Sequence, residues 1–122
     1  MALHNDIGSI GENIAQQWLV EHGFAILATS YRYGRAEADI IAYQEGLIVF
    51  CEVKTRTSTL VADPEDAVDR RKQRAYIRLA NAYVVENHRE EEVRFDIITV
   101  VIRALDDIEV SHMPAAFSAF EM

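Results

Sequence analysis

The chain has 122 residues, half of them apolar and about a quarter charged, with five Gly, two Pro, one Cys and a formal net charge of −8. That composition describes a single domain spanning 1–122 with a real core, and it excludes long disordered or low-complexity segments. The acidic balance argues against a protein whose whole surface binds nucleic acid, and a lone Cys51 excludes an internal disulfide.

The opening MALHNDIGSIGEN lacks a basic start followed by an apolar run. No uninterrupted apolar stretch approaches the roughly 20 residues that span a bilayer. The expectation is a soluble, cytoplasmic protein with no membrane partner. From Ile7 to His22, Ile7, Ile10, Ile14 and Trp18 recur at helical spacing, Ala15 and Leu19 widen the stripe, and Gly23 follows as a stop. Glu12 lies at the flank of that stripe; it fits both a favourable first-turn acid and a carboxylate facing the sheet edge. Phe24 to Ser30 reads as a strand, followed by a connection, YRYGR, whose Tyr31, Arg32, Tyr33 and Arg35 suit a nucleic-acid backbone as well as an ordinary loop.

The next stretch, AEADIIAYQEGLIVFCEVK from Ala36 to Lys54, reads as two strands around Gln44, Glu45 and Gly46. Strict alternation puts Glu37, Asp39 and Ile41 on one face of the first strand and Ala38, Ile40 and Ala42 on the other. On the second strand it puts Ile48, Phe50, Glu52 and Lys54 on one face, and Leu47, Val49, Cys51 and Val53 opposite. An apolar strand that ends in Glu-x-Lys breaks the pattern of a buried sheet, and such breaks gather at functional sites. Two readings fit the residues alone. Glu52 and Lys54 can be a solvated pair with Asp39 a surface acid, or register can bring Asp39 beside Glu52. Two carboxylates about 4 Å apart repel by roughly 4 kcal/mol at an effective dielectric near 20, so the second reading requires a proton, Lys54 or a cation. Oxygen ligands with room for water and phosphate suit Mg²⁺ or Mn²⁺.

Beyond Lys54, TRTSTLVAD reads as a polar loop, with Asp63 as N-cap, Pro64 at the first helical position and Glu65 and Asp66 in the first turn of a helix that runs to about Asn87. Val68, Ala75, Leu79, Ala80 and Tyr83 line one face. Lys72 shares that face, either snorkelling past the core edge or reaching toward the acidic patch. Arg70, Arg71, Lys72, Arg74 and Arg78 concentrate positive charge here, whereas acids collect in Glu90 to Glu92 and in Asp106, Asp107 and Glu109. Arg94 to Ile102 and Asp107 to Met113 read as further strands, and AAFSAF as a short terminal helix. His4, His22, His88 and His112 show no zinc-like spacing. The fold class is α/β, in the order α-β-β-β-α-β-β, with a mixed sheet flanked by helices.

That order, with Asp39 on the second strand and Glu52, Val53 and Lys54 on the third, resembles the restriction-endonuclease-like fold and its PD-(D/E)xK nuclease signature. More specifically, the chain resembles the YraN-like family of small bacterial proteins, similar to Holliday-junction resolvases. The resemblance is carried by Gly8, Gly11 and Glu12, the run Glu37 to Ala42, the run Val49 to Arg56, Lys72, and Arg94 to Asp96. Ala36 and Ala38 stand where Gly and Pro are usual, and HMPAAF lacks an expected Asn. The resemblance implies that Asp39, Glu52 and the Val53 carbonyl bind Mg²⁺ or Mn²⁺, that Glu12 completes the acidic cluster, and that Lys54 positions the attacking water, with Glu37 a secondary candidate. It further implies a nucleic-acid partner, DNA ahead of RNA, held by Arg35, Arg56, Arg71, Lys72 and Arg74, and a homodimeric assembly. The competing expectation is a non-catalytic nucleic-acid- or protein-binding module on the same scaffold.

Overall fold

A computed structural model describes residues 3–57 and 68–119. Its elements are α1 (Leu3–Glu21), β1 (Ala25–Tyr33), β2 (Ala36–Gln44), β3 (Leu47–Arg56), α2 (Arg70–Glu86), β4 (Glu92–Ala104) and β5 (Asp107–Phe117). The five strands form one mixed sheet in sequential order, β1 to β5, antiparallel throughout except for the parallel pair β3 and β4. The crossover through α2 makes that parallel pair possible, since parallel neighbours cannot be joined by a hairpin.

Alternation along the central strands sorts the core into two layers. Ile48 and Phe50 of β3 pack with Ile41, Tyr76, Leu79, Ala80 and Tyr83 on the α2 side. Val49 and Cys51 pack with Ala15, Leu19, Ile40, Ile98 and Val100 on the α1 side. Each fully buried Ile, Leu or Phe stabilises the fold by roughly 1.5–3 kcal/mol, so β3, buried on both faces, is the stiffest support available for a site at its end. Burial also pushes the Cys51 thiol pKa well up, which keeps it a small buried hydrophobe.

Local chemistry sets the boundaries. α1 ends where Phe24 N–H donates to the Leu19 carbonyl (2.9 Å) and Gly23 N–H to Val20 (3.1 Å), with Gly23 at φ +90°. This is the paired closure that a left-handed glycine permits. The turn between β2 and β3 is Glu45 and Gly46 alone, both at positive φ, as two-residue hairpins favour; Gln44 belongs to β2.

Several boundaries differ from the sequence expectation. Tyr31 to Tyr33 continue β1 because they pair with Ala38 to Ala36, so only Gly34 and Arg35 form the connection. The helix after the polar loop starts at Arg70 and is capped by Asp69, whose side chain accepts from Lys72 N–H at 2.8 Å; Asp63 to Asp66 lie outside the described residues. β5 continues through Pro114 to Phe117 in place of a helix over that stretch. A tertiary tie accounts for its course, because Ala115 N–H donates to the buried Asp96 carboxylate at 3.0 Å. On α1 the buried line is Gly11, Ala15 and Leu19, and Ile10 stays half exposed. Gly11 is required there: a Cβ on it would lie 1.9 Å from Thr55 Oγ1. Its absence lets the helix lie directly on the end of β3.

Candidate functional site

The β2–β3 ladder stops at the Ile40 and Cys51 pair. Beyond it, the Val53 amide donates to Asp39 Oδ2 at 2.8 Å, so a side chain takes the place of a backbone partner and the strands part. The expected alternation of β2 breaks at the same point. Ala36 and Ala38 pack on the α2 side, whereas Ile40 and Ala42 pack on the α1 side, so Ala38 does not share a face with Ile40. Register alone did not predict this shift. It brings the Asp39 carboxylate against the end of β3, beside Glu52.

Glu52 is almost fully buried, and four groups meet on it. Tyr76 Oη donates to its Oε1 at 2.8 Å, Lys72 Nζ donates to Oε2, and Lys54 Nζ lies 3.8 Å from the same oxygen. The fourth is Asp39. Burial raises the Asp39 carboxyl from 3.8 to about 7, against the lowering effect of the Val53 amide; the Glu52 charge, a hydrogen bond with Glu52 and the Glu12 charge raise it further. The two carboxylates therefore form a desolvated acidic pair that retains a proton near neutrality unless another cation replaces it. Tyr76 stays protonated, since burial and then the Glu52 and Asp39 charges drive its pKa far above the ordinary value.

Glu12 on α1 lies within range of the charge of the cluster. Burial raises its pKa, then repulsion from Glu37 and Glu52. Glu37 is itself anchored to Arg32, Oε1 to Nε at 3.7 Å, within the β1–β2 pair. The close approach at Gly11 is what lets the helix deliver Glu12 here.

The cationic candidates divide. Arg35, Arg71 and Lys72 line a groove of about 470 Å³ beside the carboxylates. Arg56 lies at the end of β3 and donates to the Thr55 carbonyl at 3.1 Å, and Arg74 is exposed on α2 outside the groove. Lys72 therefore reaches the acidic cluster, the second of its two sequence readings. Tyr76 was missed from the sequence, although it stands one helical turn after Lys72 and so points to the same side.

A second polar cluster was likewise hidden. Asp96 is buried on β4, held by Arg94 through two bonds of 2.9 Å, by His112 Nε2 at 2.6 Å and by the Ala115 amide. Burial raises its pKa, but His112, Arg94 and the amide outweigh that and hold the carboxyl below its ordinary range. With every oxygen satisfied by the chain itself, this cluster ties β5 to β4.

Two hard carboxylates side by side in a desolvated setting are the type of oxygen donor that a divalent cation of the Mg²⁺ type takes. Among the described residues no group of three or more His, Cys, Asp and Glu is arranged as a metal cage, so Asp39 and Glu52 would supply only part of a coordination shell. No described helix is long and apolar enough to cross a membrane.

Fold and site thus define an α/β protein with a buried acidic pair at parted strand ends and a basic groove reached through Lys72. Residues 11–100 match the family described as "Uncharacterised protein family UPF0102", and the chain belongs to that family. It is 44% identical over 117 residues to a UPF0102 protein of Bacteroides thetaiotaomicron, covering 96% of each chain. It is 40% identical to one of Parabacteroides distasonis over 98% of each chain. It is 38% identical to one of Flavobacterium psychrophilum over 98% of this chain and all of the relative.

Proposed function

We propose that the protein is a divalent-metal-dependent nuclease that hydrolyses phosphodiester bonds in DNA, with branched or otherwise structured DNA as its substrate. The observation that carries this reading is the pairing of Asp39 with Glu52 at the parted strand ends, where burial and the Glu52 charge raise the Asp39 pKa. A bound Mg²⁺ or Mn²⁺ would polarise a phosphoryl oxygen and lower the pKa of the attacking water. Asp39 and Glu52, with the Val53 carbonyl, hold the ion. Tyr76 fixes the Glu52 carboxylate by its bond to Oε1. Lys54 places an ammonium where negative charge develops on the phosphoryl oxygens, and Lys72 is a second cation that can move from Glu52 to a phosphate. Glu12 completes the acidic cluster, and Glu37 is the secondary candidate. Arg35, Arg56, Arg71 and Arg74 contact the backbone of the nucleic acid, and a two-fold assembly would bring two such sites to two strands.

A second reading has its own support. Both Glu52 oxygens already have internal partners, Tyr76 on one and Lys72 on the other, as in a scaffold that has replaced a metal with an ammonium. In that case the protein is a non-catalytic binding module. Mn²⁺ titration followed by paramagnetic broadening of backbone NMR signals decides between them. Selective broadening at Asp39, Glu52 and Val53, lost in Asp39→Asn, together with Mn²⁺-dependent cleavage of branched DNA by the wild type only, supports the nuclease. No selective broadening at millimolar Mn²⁺, with or without DNA, supports the module.

A further inference from the structure

The groove next to the carboxylates has two walls of different origin. One is the β1–β2 connection and its flanking strand ends, with Tyr33, Gly34, Arg35 and Ala36; the other is the first half of α2, with Arg71, Lys72, Ala75 and Arg78. On α2, positions 71, 75 and 78 fall on one face, so the small Ala75 leaves a hollow between two arginines. Gly34 at φ +60° makes the tight turn that sets Arg35 opposite them.

Charge pairing thins out around this groove and along the exposed side of α2. Four arginines away from α2 are matched to carboxylates: Arg32 with Glu37, Arg89 with Glu91, Arg94 with Asp96, and Arg103 with Asp107 and Glu109. Among the described residues, Arg35, Arg71 and Arg78 have no carboxylate partner. The one acid at the groove, Asp69, spends its carboxylate on the Lys72 amide. In a chain of net charge −8, unpaired guanidiniums gathered on one concave surface mark a site for an anion that comes from outside the chain. Tyr33 at its edge is half exposed despite its size, which leaves an aromatic side chain open to solvent beside the cations. Phosphate-binding cations next to an exposed ring form the combination that holds an unpaired nucleotide, because a stacked base in a duplex offers no face to a side chain.

We infer that this groove binds a single-stranded nucleic-acid segment, with a phosphate between Arg35, Arg71 and Arg78 and a base stacked on Tyr33. Lys72 both lines the groove and touches Glu52, so the segment leads directly to the carboxylates. The inference rests on the nucleic-acid partner proposed above and narrows it: the substrate carries unpaired nucleotides beside the position of cleavage.

Fluorescence anisotropy of the full chain in EDTA, with labelled oligothymidylate and a duplex of equal length, tests it without metal or cleavage. The wild type should prefer the single strand. Tyr33→Ala should weaken single-strand binding about tenfold, Tyr33→Phe should restore it, and neither should change duplex binding. Arg78→Ala should reduce the salt slope by about 0.7, whereas Arg103→Ala should not. Preference for the duplex, or an unchanged single-strand affinity in a folded Tyr33→Ala, overturns the inference. The nuclease reading fails separately, by the absence of Mn²⁺ broadening at Asp39.

Discussion

Replacing Asp39 by Asn should stabilise the metal-free protein above neutral pH, although the residue sits at the centre of the proposed site. The folded-state pKa of Asp39 is raised from 3.8 to about 7, first by burial and then by Glu52, with the Val53 amide opposing. Unfolded chains release this proton near 3.8 while the folded chain keeps it to about 7, so the wild type loses stability as pH rises through that window and levels off above it. A shift of roughly three pH units corresponds to about 4 kcal/mol, and solvent screening of the part of Asp39 that stays exposed reduces that to about 2 kcal/mol. Asparagine is neutral at every pH, and its side-chain oxygen still accepts from the Val53 amide. The stability gap between variant and wild type should therefore be near zero at pH 4 and open to about 2–4 kcal/mol by pH 8. Urea unfolding in EDTA across that range reads it directly. Mn²⁺ at about a hundred times its Kd should return about 2.7 kcal/mol to the wild type alone. A gap that does not vary with pH, or a variant less stable than wild type at pH 8, would refute the reasoning.

Three further outcomes are expected. Gly11→Ala forces a methyl onto Thr55; despite the better helix propensity of alanine, urea unfolding should show a loss of about 1–3 kcal/mol, and the displaced Glu12 should weaken Mn²⁺ broadening. Tyr76→Phe removes the donor to Glu52 Oε1 and should cost about 1–2 kcal/mol by the same assay, with little change in the far-ultraviolet signature of the backbone. Asp96→Asn leaves Arg94 without its carboxylate and should cost about 3 kcal/mol at pH 7. Because the folded-state Asp96 pKa is lowered, its stabilisation is present above about 4 and is lost as pH falls further, so variant and wild type should converge in acid melts.

What the sequence determined by itself was local. Strand alternation separated Ile48 and Phe50 from Val49 and Cys51, glycine closed α1, and the spacing of Glu52 and Lys54 put both on one face of β3, because each of these follows from backbone geometry over a few residues. The α-β-β-β-α-β-β order was legible for the same reason. Tertiary structure alone decided the rest. The parting of β2 from β3, and with it the meeting of Asp39 and Glu52, depends on a side chain displacing a ladder bond, which no periodicity encodes. Lys72 fitted two positions until the packing of α2 carried it to Glu52, and Tyr76 became a site residue only through that same approach. The tail after Met113 reads as helix from its alanines, yet the buried Asp96 carboxylate, about twenty residues away in the chain, draws the Ala115 amide into β5. An unsatisfied buried charge costs more than the helical preference of a few alanines, and only the folded chain brings the two together.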